Sequence, residues 1–176
     1  MVTQARIPII SFIAYSGTGK TTLLTQLVTL LKEKGLRVGI VKHTHHGFDI
    51  DKKGKDSYRL REAGADQVML ASRQRWVLMA ETDKTEEAHL DGVLPHLDQA
   101  NLDLILVEGF KHESLPKIEV HRPSLRNPPL FLQDREIIAI ATDESLTVKT
   151  DLPILDLNQP EQIVQWLLQY LSISVE

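Results

Sequence analysis

The chain has 176 residues, a formal net charge of −4 and no basic surface that stands out, so its length suits one domain and its charge gives no reason to expect nucleic-acid binding. It contains no cysteine, which excludes disulfides, thiolate metal ligands and cysteine nucleophiles. The N-terminus carries no targeting or lipidation motif and the longest apolar runs are strand-sized, so we expect a cytoplasmic protein without a membrane span.

The first predicted strand ends in a glycine-rich turn. The apolar run Ile9–Ile13 is followed by the sequence AYSGTGKT at residues 14–21 and then by a leucine-rich segment. A strand, a glycine-rich turn and a helix in this order are the context of a P-loop, which binds the phosphates of a nucleotide. Gly17 and Gly19 allow successive backbone N–H groups to point at one anion. The first glycine of the usual pattern is Ala14 here, a residue small enough to keep the turn.

The residues of this turn have distinct predicted roles. Lys20 is predicted to reach the β- and γ-phosphates, and the Thr21 hydroxyl to join the shell of a magnesium ion. The helix is predicted from about Lys20 to Lys34, and its positive N-terminal end also favours an anion. The candidate nucleotide-binding residues of the segment are Ser16, Gly17, Thr18, Gly19, Lys20, Thr21 and Thr22.

The second predicted strand, at residues 36–42, leads into the histidine-rich sequence KHTHHGFDID at residues 42–51. Three histidines in four positions indicate either a metal site or a switch-like loop that meets phosphate, magnesium or a second ligand. A plain surface loop is the third interpretation. We favour the ligand-binding loop, with His43 and His45 as candidate binding residues and Asp49 as a candidate catalytic residue.

The middle of the chain predicts short elements. Asp56 and Ser57 begin a short helix that ends near Gly64. Two strands, at residues 67–72 and 76–81, predict an added antiparallel strand or hairpin. Residues 85–97 have helical spacing, but Gly92 and Pro95 predict a short or irregular helix.

A third chemically informative segment is the apolar strand at residues 102–110, which ends in Glu108 and Gly109. A carboxylate at the tip of such a strand is the Walker-B arrangement, although aspartate is more usual there. Glu108 is predicted to hold magnesium through water or to position the attacking water. Gly109 allows the backbone to approach a phosphate closely.

The C-terminal third predicts strands at residues 117–121, 137–141 and 151–157. In a doubly wound sheet, ligands lie beyond the carboxyl ends of the strands, which makes Asp143 a candidate for reading a base. Its carboxylate can accept from both guanine N1–H and N2–H, whereas the alternative is an ordinary turn aspartate. No Asn-Lys-x-Asp motif is present, so the chemistry favours GTP only weakly. Pro160 starts a last helix, and its predicted apolar side is Ile163, Trp166, Leu167, Tyr170 and Leu171.

Together these segments resemble the molybdopterin-guanine dinucleotide biosynthesis protein B (MobB) family. The resemblance is carried by SGTGKTTLL at residues 16–24, VKHTHH at 41–46, GKDSY at 54–58 and LILVEGFKH at 104–112. The P-loop alone fits many families, whereas the combination of the histidine-rich and Glu-Gly-Phe-Lys segments is specific to this one.

The resemblance implies a homodimeric P-loop protein that binds GTP with magnesium and hydrolyses it slowly. It also implies a helper role beside the MobA-like guanylyltransferase that joins GMP to molybdopterin, with molybdopterin itself as a further possible ligand. Tyr15 shows that this is not the P-loop variant whose extra lysine reaches across a dimer. No arginine finger is evident in the sequence, which agrees with slow hydrolysis.

The sequence therefore predicts a single P-loop nucleotide-binding domain of the three-layer α/β class, with a mostly parallel central sheet and an added antiparallel hairpin. Lys20, Glu108 and Asp49 are the candidate catalytic residues, and Thr21 and Glu108 the candidate metal-binding residues. Two alternative functions are a metal-insertion GTPase that uses the histidine loop and a small-molecule kinase. A third is an adaptor that holds GTP without turning it over.

Overall fold

The computed structural model describes residues 2–44, 50–82 and 87–175 of the chain. Its helices are α1 (Lys20–Glu33), α2 (Asp56–Glu62), α3 (Leu90–Val93) and α4 (Pro160–Tyr170). Its strands are β1 (Ile9–Ile13), β2 (Val38–Lys42), β3 (Gln67–Ala71), β4 (Trp76–Ala80), β5 (Leu104–Glu108), β6 (Lys117–His121), β7 (Ile137–Thr142) and β8 (Ile154–Asp156). None of the helices in these ranges is long and apolar enough to cross a membrane.

The described residues group into two compact units. The first contains residues up to His43 and from Ala88 onward, and the second spans Thr44–Glu87. The single domain expected from chain length stays a prediction.

The first unit is built on a six-stranded sheet with the order β2-β5-β1-β6-β7-β8. Every pair of neighbouring strands in it is parallel. The carboxyl ends of all six strands therefore lie at one edge of the sheet, where the sequence places its polar segments. This arrangement, together with the separate antiparallel pair described below, confirms the predicted fold class.

Both faces of this sheet are covered. Side chains alternate along each strand, so each strand contributes to a core on either side of the sheet. On β5, Leu104 and Leu106 join the core beneath α1 and α4, whereas Ile105 and Val107 join a second core with α3. Helix α1 follows its sequence pattern, with Leu23, Leu24, Leu27 and Leu31 buried. The same alternation determines which of the side chains at the strand ends lie on the side of the sheet that α1 covers.

Two predictions for helices meet different outcomes. The predicted irregular helix after residue 85 is confirmed from Leu90 onward as the four-residue α3 followed by a 3₁₀ turn at Leu94–His96. The predicted apolar side of α4 was partly wrong, because Val164 and Leu168 are buried while Tyr170 is exposed. Helix α4 packs against both α1 and β8, so its buried stripe is turned toward two neighbours. Trp166 and Tyr170 stack on each other with ring centroids 5.2 Å apart.

The second unit contains α2 and the antiparallel pair β3–β4. The strands pair from Gln67 opposite Ala80 to Ala71 opposite Trp76, and this pairing confirms the predicted hairpin. Val68 is buried on one side of the hairpin, whereas Met69 and Trp76, which point to the other side, are 60% and 59% exposed. A two-stranded sheet has little stability alone, and an exposed apolar face usually marks an interaction site. The exposed apolar side of this hairpin is therefore a candidate interaction surface.

Candidate functional site

The P-loop geometry follows from two glycines with positive φ. Gly17 and Gly19 have φ of +80° and +90°, a left-handed backbone conformation that residues with a side chain seldom adopt. Gly19 is also the residue that precedes α1. The Thr18 hydroxyl donates to the Tyr15 carbonyl oxygen at 2.9 Å and closes the turn. The loop thus forms where the sequence predicted it, between β1 and α1.

The Glu108 carboxylate lies at the centre of the site. It ends β5, next to β1, and its Oε1 atom accepts a hydrogen bond from the Thr21 hydroxyl at 2.9 Å. The Lys20 ammonium is 3.9 Å from the same oxygen. The structure therefore brings Lys20, Thr21 and Glu108 together, as the P-loop and Walker-B patterns predicted. A hydroxyl and a carboxylate oxygen this close are the ligand types that magnesium prefers.

Sequence reasoning missed Lys42, whose ammonium lies 3.1 Å from the same Glu108 oxygen. Lys42 pairs in register with Glu108 between the parallel strands β2 and β5, so both side chains point to the face of α1. Lys42 is the last residue of β2, and its position at the carboxyl end of a strand is the sequence feature that could have marked it as a site residue. Predicting its contact with Glu108 requires the strand order, in which β2 and β5 are neighbours.

The site is electropositive around Glu108. Burial lowers the pKa of Lys20 from its usual range, and the Glu108 carboxylate opposes that shift by favouring the charged form. The nearby charges of Lys111 and Lys42 lower the pKa of Lys20 further. The Lys111 ammonium also lies 5.1 Å from the centroid of the Tyr15 ring. Several cations around one carboxylate suit a ligand that carries several negative charges.

A second polar group lies on the loop side of β6 and β7. Arg122 directly follows β6, and its Nε donates to the Thr18 carbonyl oxygen at 2.8 Å. Its Nη1 donates to Oδ2 of Asp143, which directly follows β7. The other Asp143 oxygen, Oδ1, is buried without a hydrogen-bond partner among the described residues. The structure thus connects Asp143 to the P-loop through Arg122, a residue that no sequence motif singles out.

His43 lies beside the Walker-B segment. Its backbone N–H donates to the Glu108 carbonyl oxygen at 2.9 Å, and its ring lies 4.8 Å from that of Phe110. A Cβ atom at Gly109 would be 3.1 Å from the His43 Cβ, so a glycine suits this approach. Within residues 2–44, 50–82 and 87–175, no three histidine, aspartate or glutamate side chains are arranged to hold a metal. The candidates His45 and Asp49 lie outside the described residues.

The parallel sheet, the glycine loop between β1 and α1, and the carboxylate at the end of β5 define a P-loop nucleotide-binding α/β fold. The family model described as "Molybdopterin guanine dinucleotide synthesis protein B" matches residues 9–143. The chain belongs to this family, which confirms the resemblance seen in the sequence. Its role therefore lies in the biosynthesis of molybdopterin guanine dinucleotide.

Individual relatives agree with this family. Two curated proteins are each named "Molybdopterin-guanine dinucleotide biosynthesis adapter protein". The one from Escherichia coli (strain K12) is 46% identical and covers 98% of this chain and 98% of its own. The one from Haemophilus influenzae (strain ATCC 51907 / DSM 11121 / KW20 / Rd) is 42% identical and covers 94% of this chain and 90% of its own. The crystal structure of Bacillus subtilis MobB has a TM-score of 0.72 at 27% identity, covering 93% of this chain and 97% of that one.

The electrostatic coupling of Lys20 to Glu108 predicts a measurable change. Replacing Glu108 with glutamine is expected to lower the pKa of Lys20 further, because the carboxylate opposes the effect of burial. An NMR titration of the Lys20 side-chain Cε signal measures this directly. The control is Glu33→Gln at the other end of α1, which should leave the pKa unchanged. A Lys20 pKa that stays the same or rises in Glu108→Gln would contradict the described contact.

Proposed function

We propose that this chain is a GTP-binding adapter protein that assists the attachment of GMP to molybdopterin. The observation that carries the proposal is the convergence of the Lys20 ammonium and the Thr21 hydroxyl on Oε1 of Glu108, beside the glycine loop. This constellation supports a magnesium nucleotide, and the adapter role is the one that the relatives from Escherichia coli and Haemophilus influenzae are named for.

Magnesium fits the residues at the end of β5. Thr21 and Glu108 would hold the ion, directly or through water, because both present oxygen atoms and lie 2.9 Å apart. A bound magnesium would neutralise charge on the β- and γ-phosphates. Lys20 adds a cation to the same phosphates, and the N–H groups between Gly17 and Thr22 complete the anion site.

Slow hydrolysis of GTP is part of the proposal. Arg122 contacts the P-loop, and its Nε and Nη1 donors serve the Thr18 carbonyl oxygen and the Asp143 carboxylate, which hold the guanidinium at the Thr18 side of the loop. An arginine aimed at the γ-phosphate raises the rate of such reactions by roughly 10³–10⁵. A site that relies on Lys20 and Glu108 without that contribution is expected to turn over slowly, with Asp49 retained as a further catalytic candidate.

Asp143 is the residue proposed to read the base. Arg122 holds its Oδ2 atom, and this leaves Oδ1 as a buried acceptor without a partner among the described residues. An unsatisfied buried acceptor costs free energy until a donor reaches it. Guanine presents N–H donors at N1 and N2, whereas adenine has no hydrogen on N1. Adenine carries its N–H donors on the 6-amino group, where guanine has the O6 acceptor, so an Oδ1 atom that faces the N1 and N2 positions of the base supports a preference for GTP over ATP.

This base assignment predicts the outcome of calorimetric titrations with Mg-GTP and Mg-ATP. The wild type should bind Mg-GTP more tightly, and Asp143→Asn should lose about tenfold in GTP affinity while its ATP affinity does not fall, since one hydrogen bond to a charged acceptor is removed. Glu144→Gln changes the neighbouring exposed carboxylate and should keep the preference. Equal affinities in the wild type, or a stronger affinity for ATP, would rule out base reading by Asp143.

The adapter role is tested on the reaction of the partner enzyme. Adding this chain to a purified molybdenum cofactor guanylyltransferase, with molybdopterin and GTP, should increase the yield of the guanine dinucleotide. The Lys20→Met variant should give no increase in yield, because it lacks the ammonium group that contacts the phosphates. Lys34→Met, at the opposite end of α1, is the matched control. An increase that survives in Lys20→Met would show that nucleotide binding is not part of the adapter role.

We further propose that the chain is a homodimer, which the family resemblance implies and the exposed face of the β3–β4 hairpin supports. Light scattering should then give a mass of twice 19.9 kDa. The double variant Met69→Ser and Trp76→Ser removes the two most exposed large apolar side chains of the hairpin, which share one side of it, and should shift the mass toward one chain. Ile154→Ser changes an exposed residue of β8 and is the control. A wild type of 19.9 kDa would contradict the proposal.

A further inference from the structure

Lys42 makes a contact that neither the P-loop nor the Walker-B pattern explains. Its ammonium lies 3.1 Å from Oε1 of Glu108, the oxygen that also accepts the Thr21 hydroxyl. The Glu108 side chain is only 10% exposed, whereas the Lys42 side chain is 50% exposed. The carboxylate is therefore held in place, and the lysine has room to change partners.

The position of Lys42 is set by the sheet. The residue ends β2, directly beside Glu108 on β5, and the parallel register places both side chains on the face of α1. On that face also lie Lys20 and Thr21, the first residues of α1. The Lys42 ammonium is consequently the second cation beside the same carboxylate oxygen, after the Lys20 ammonium, and the neutral Thr21 hydroxyl donates a hydrogen bond to that oxygen as well.

A magnesium ion at Thr21 and Glu108 would require the Lys42 ammonium to leave its position beside Oε1 of Glu108. A divalent cation held by Thr21 and Glu108 would lie close to the Lys42 ammonium, and like charges repel. The repulsion is relieved when Lys42 moves to an anion. The γ-phosphate of a nucleoside triphosphate supplies that anion beside the magnesium, whereas a diphosphate lacks this group and its β-phosphate is the one that the P-loop and Lys20 hold.

We propose that Lys42 distinguishes a nucleoside triphosphate from a diphosphate by exchanging the Glu108 carboxylate for the terminal phosphate. This inference rests on the proposed nucleotide binding and adds a residue to it. Lys42 is directly followed by His43, whose backbone N–H is bonded to the Glu108 carbonyl oxygen. A change of partner at Lys42 thus occurs one residue before His43, where the first unit ends and the chain continues into the second.

The test compares the affinities of Mg-GDP and of a magnesium complex of a non-hydrolysable GTP analogue, measured by calorimetry. Lys42→Met should reduce the preference for the triphosphate about tenfold, through weaker binding of the analogue alone, because one charged contact to the terminal phosphate is lost. Lys42→Arg keeps the charge and should retain most of the preference. Lys34→Met, on the exposed end of α1, should behave as the wild type.

A second readout separates this role from a purely structural one. With GDP bound, removing the Lys42 charge should lower the magnesium concentration at half-saturation, because the repulsion is gone, and a damaged site would raise it. If Lys42→Met weakens GDP and the analogue equally, or changes neither, the inference is wrong while the proposed nucleotide binding stands. If the wild type binds neither GTP nor ATP, both are wrong.

Discussion

The Oε1 atom of Glu108 joins three segments of the chain, because side chains at the start of α1 and at the end of β2 converge on this one oxygen at the end of β5. Burying a carboxylate costs free energy unless partners compensate it. Here the hydroxyl of Thr21 and the ammonium of Lys42 are within hydrogen-bonding distance of Oε1, and the ammonium of Lys20 lies slightly further away. These partners come from the start of α1 and the end of β2, so one carboxylate connects the P-loop helix to two neighbouring strands. Any ligand that enters must compete with these contacts or use them.

The parallel sheet explains why the groups meet. Because every strand of the first unit runs in the same direction, the residues that end β1, β2, β5, β6 and β7 lie along one edge. Alternation then selects the face, and the polar side chains next to the core of α1 and α4 are those of Lys42 and Glu108. Arg122 follows β6 and Asp143 follows β7. Arg122 donates to both the Thr18 carbonyl oxygen and the Asp143 carboxylate, and so connects the P-loop to the end of β7. A sheet of this kind builds the site from short sequence segments that are far apart in the chain.

Some of this arrangement was predictable from the sequence and some was not. The glycine turn, Lys20 and Thr21 were predictable because their chemistry is local, and Glu108 because an apolar strand ending in a carboxylate is a local pattern too. The hairpin was predictable from two short β-rich segments around a polar turn. Lys42 and Arg122 were not, since their significance depends on strand order and register, which no local pattern gives. The buried side of α4 was partly mispredicted for a similar reason, because its two packing partners were unknown.

The most direct measurement is a crystal structure of the chain with magnesium and a non-hydrolysable GTP analogue. We expect the phosphates over residues 17–22, magnesium between Thr21 and Glu108, and guanine at Asp143. This expectation would be contradicted by a nucleotide bound away from the glycine loop, or by magnesium without contact, direct or through one water, to Thr21 and Glu108.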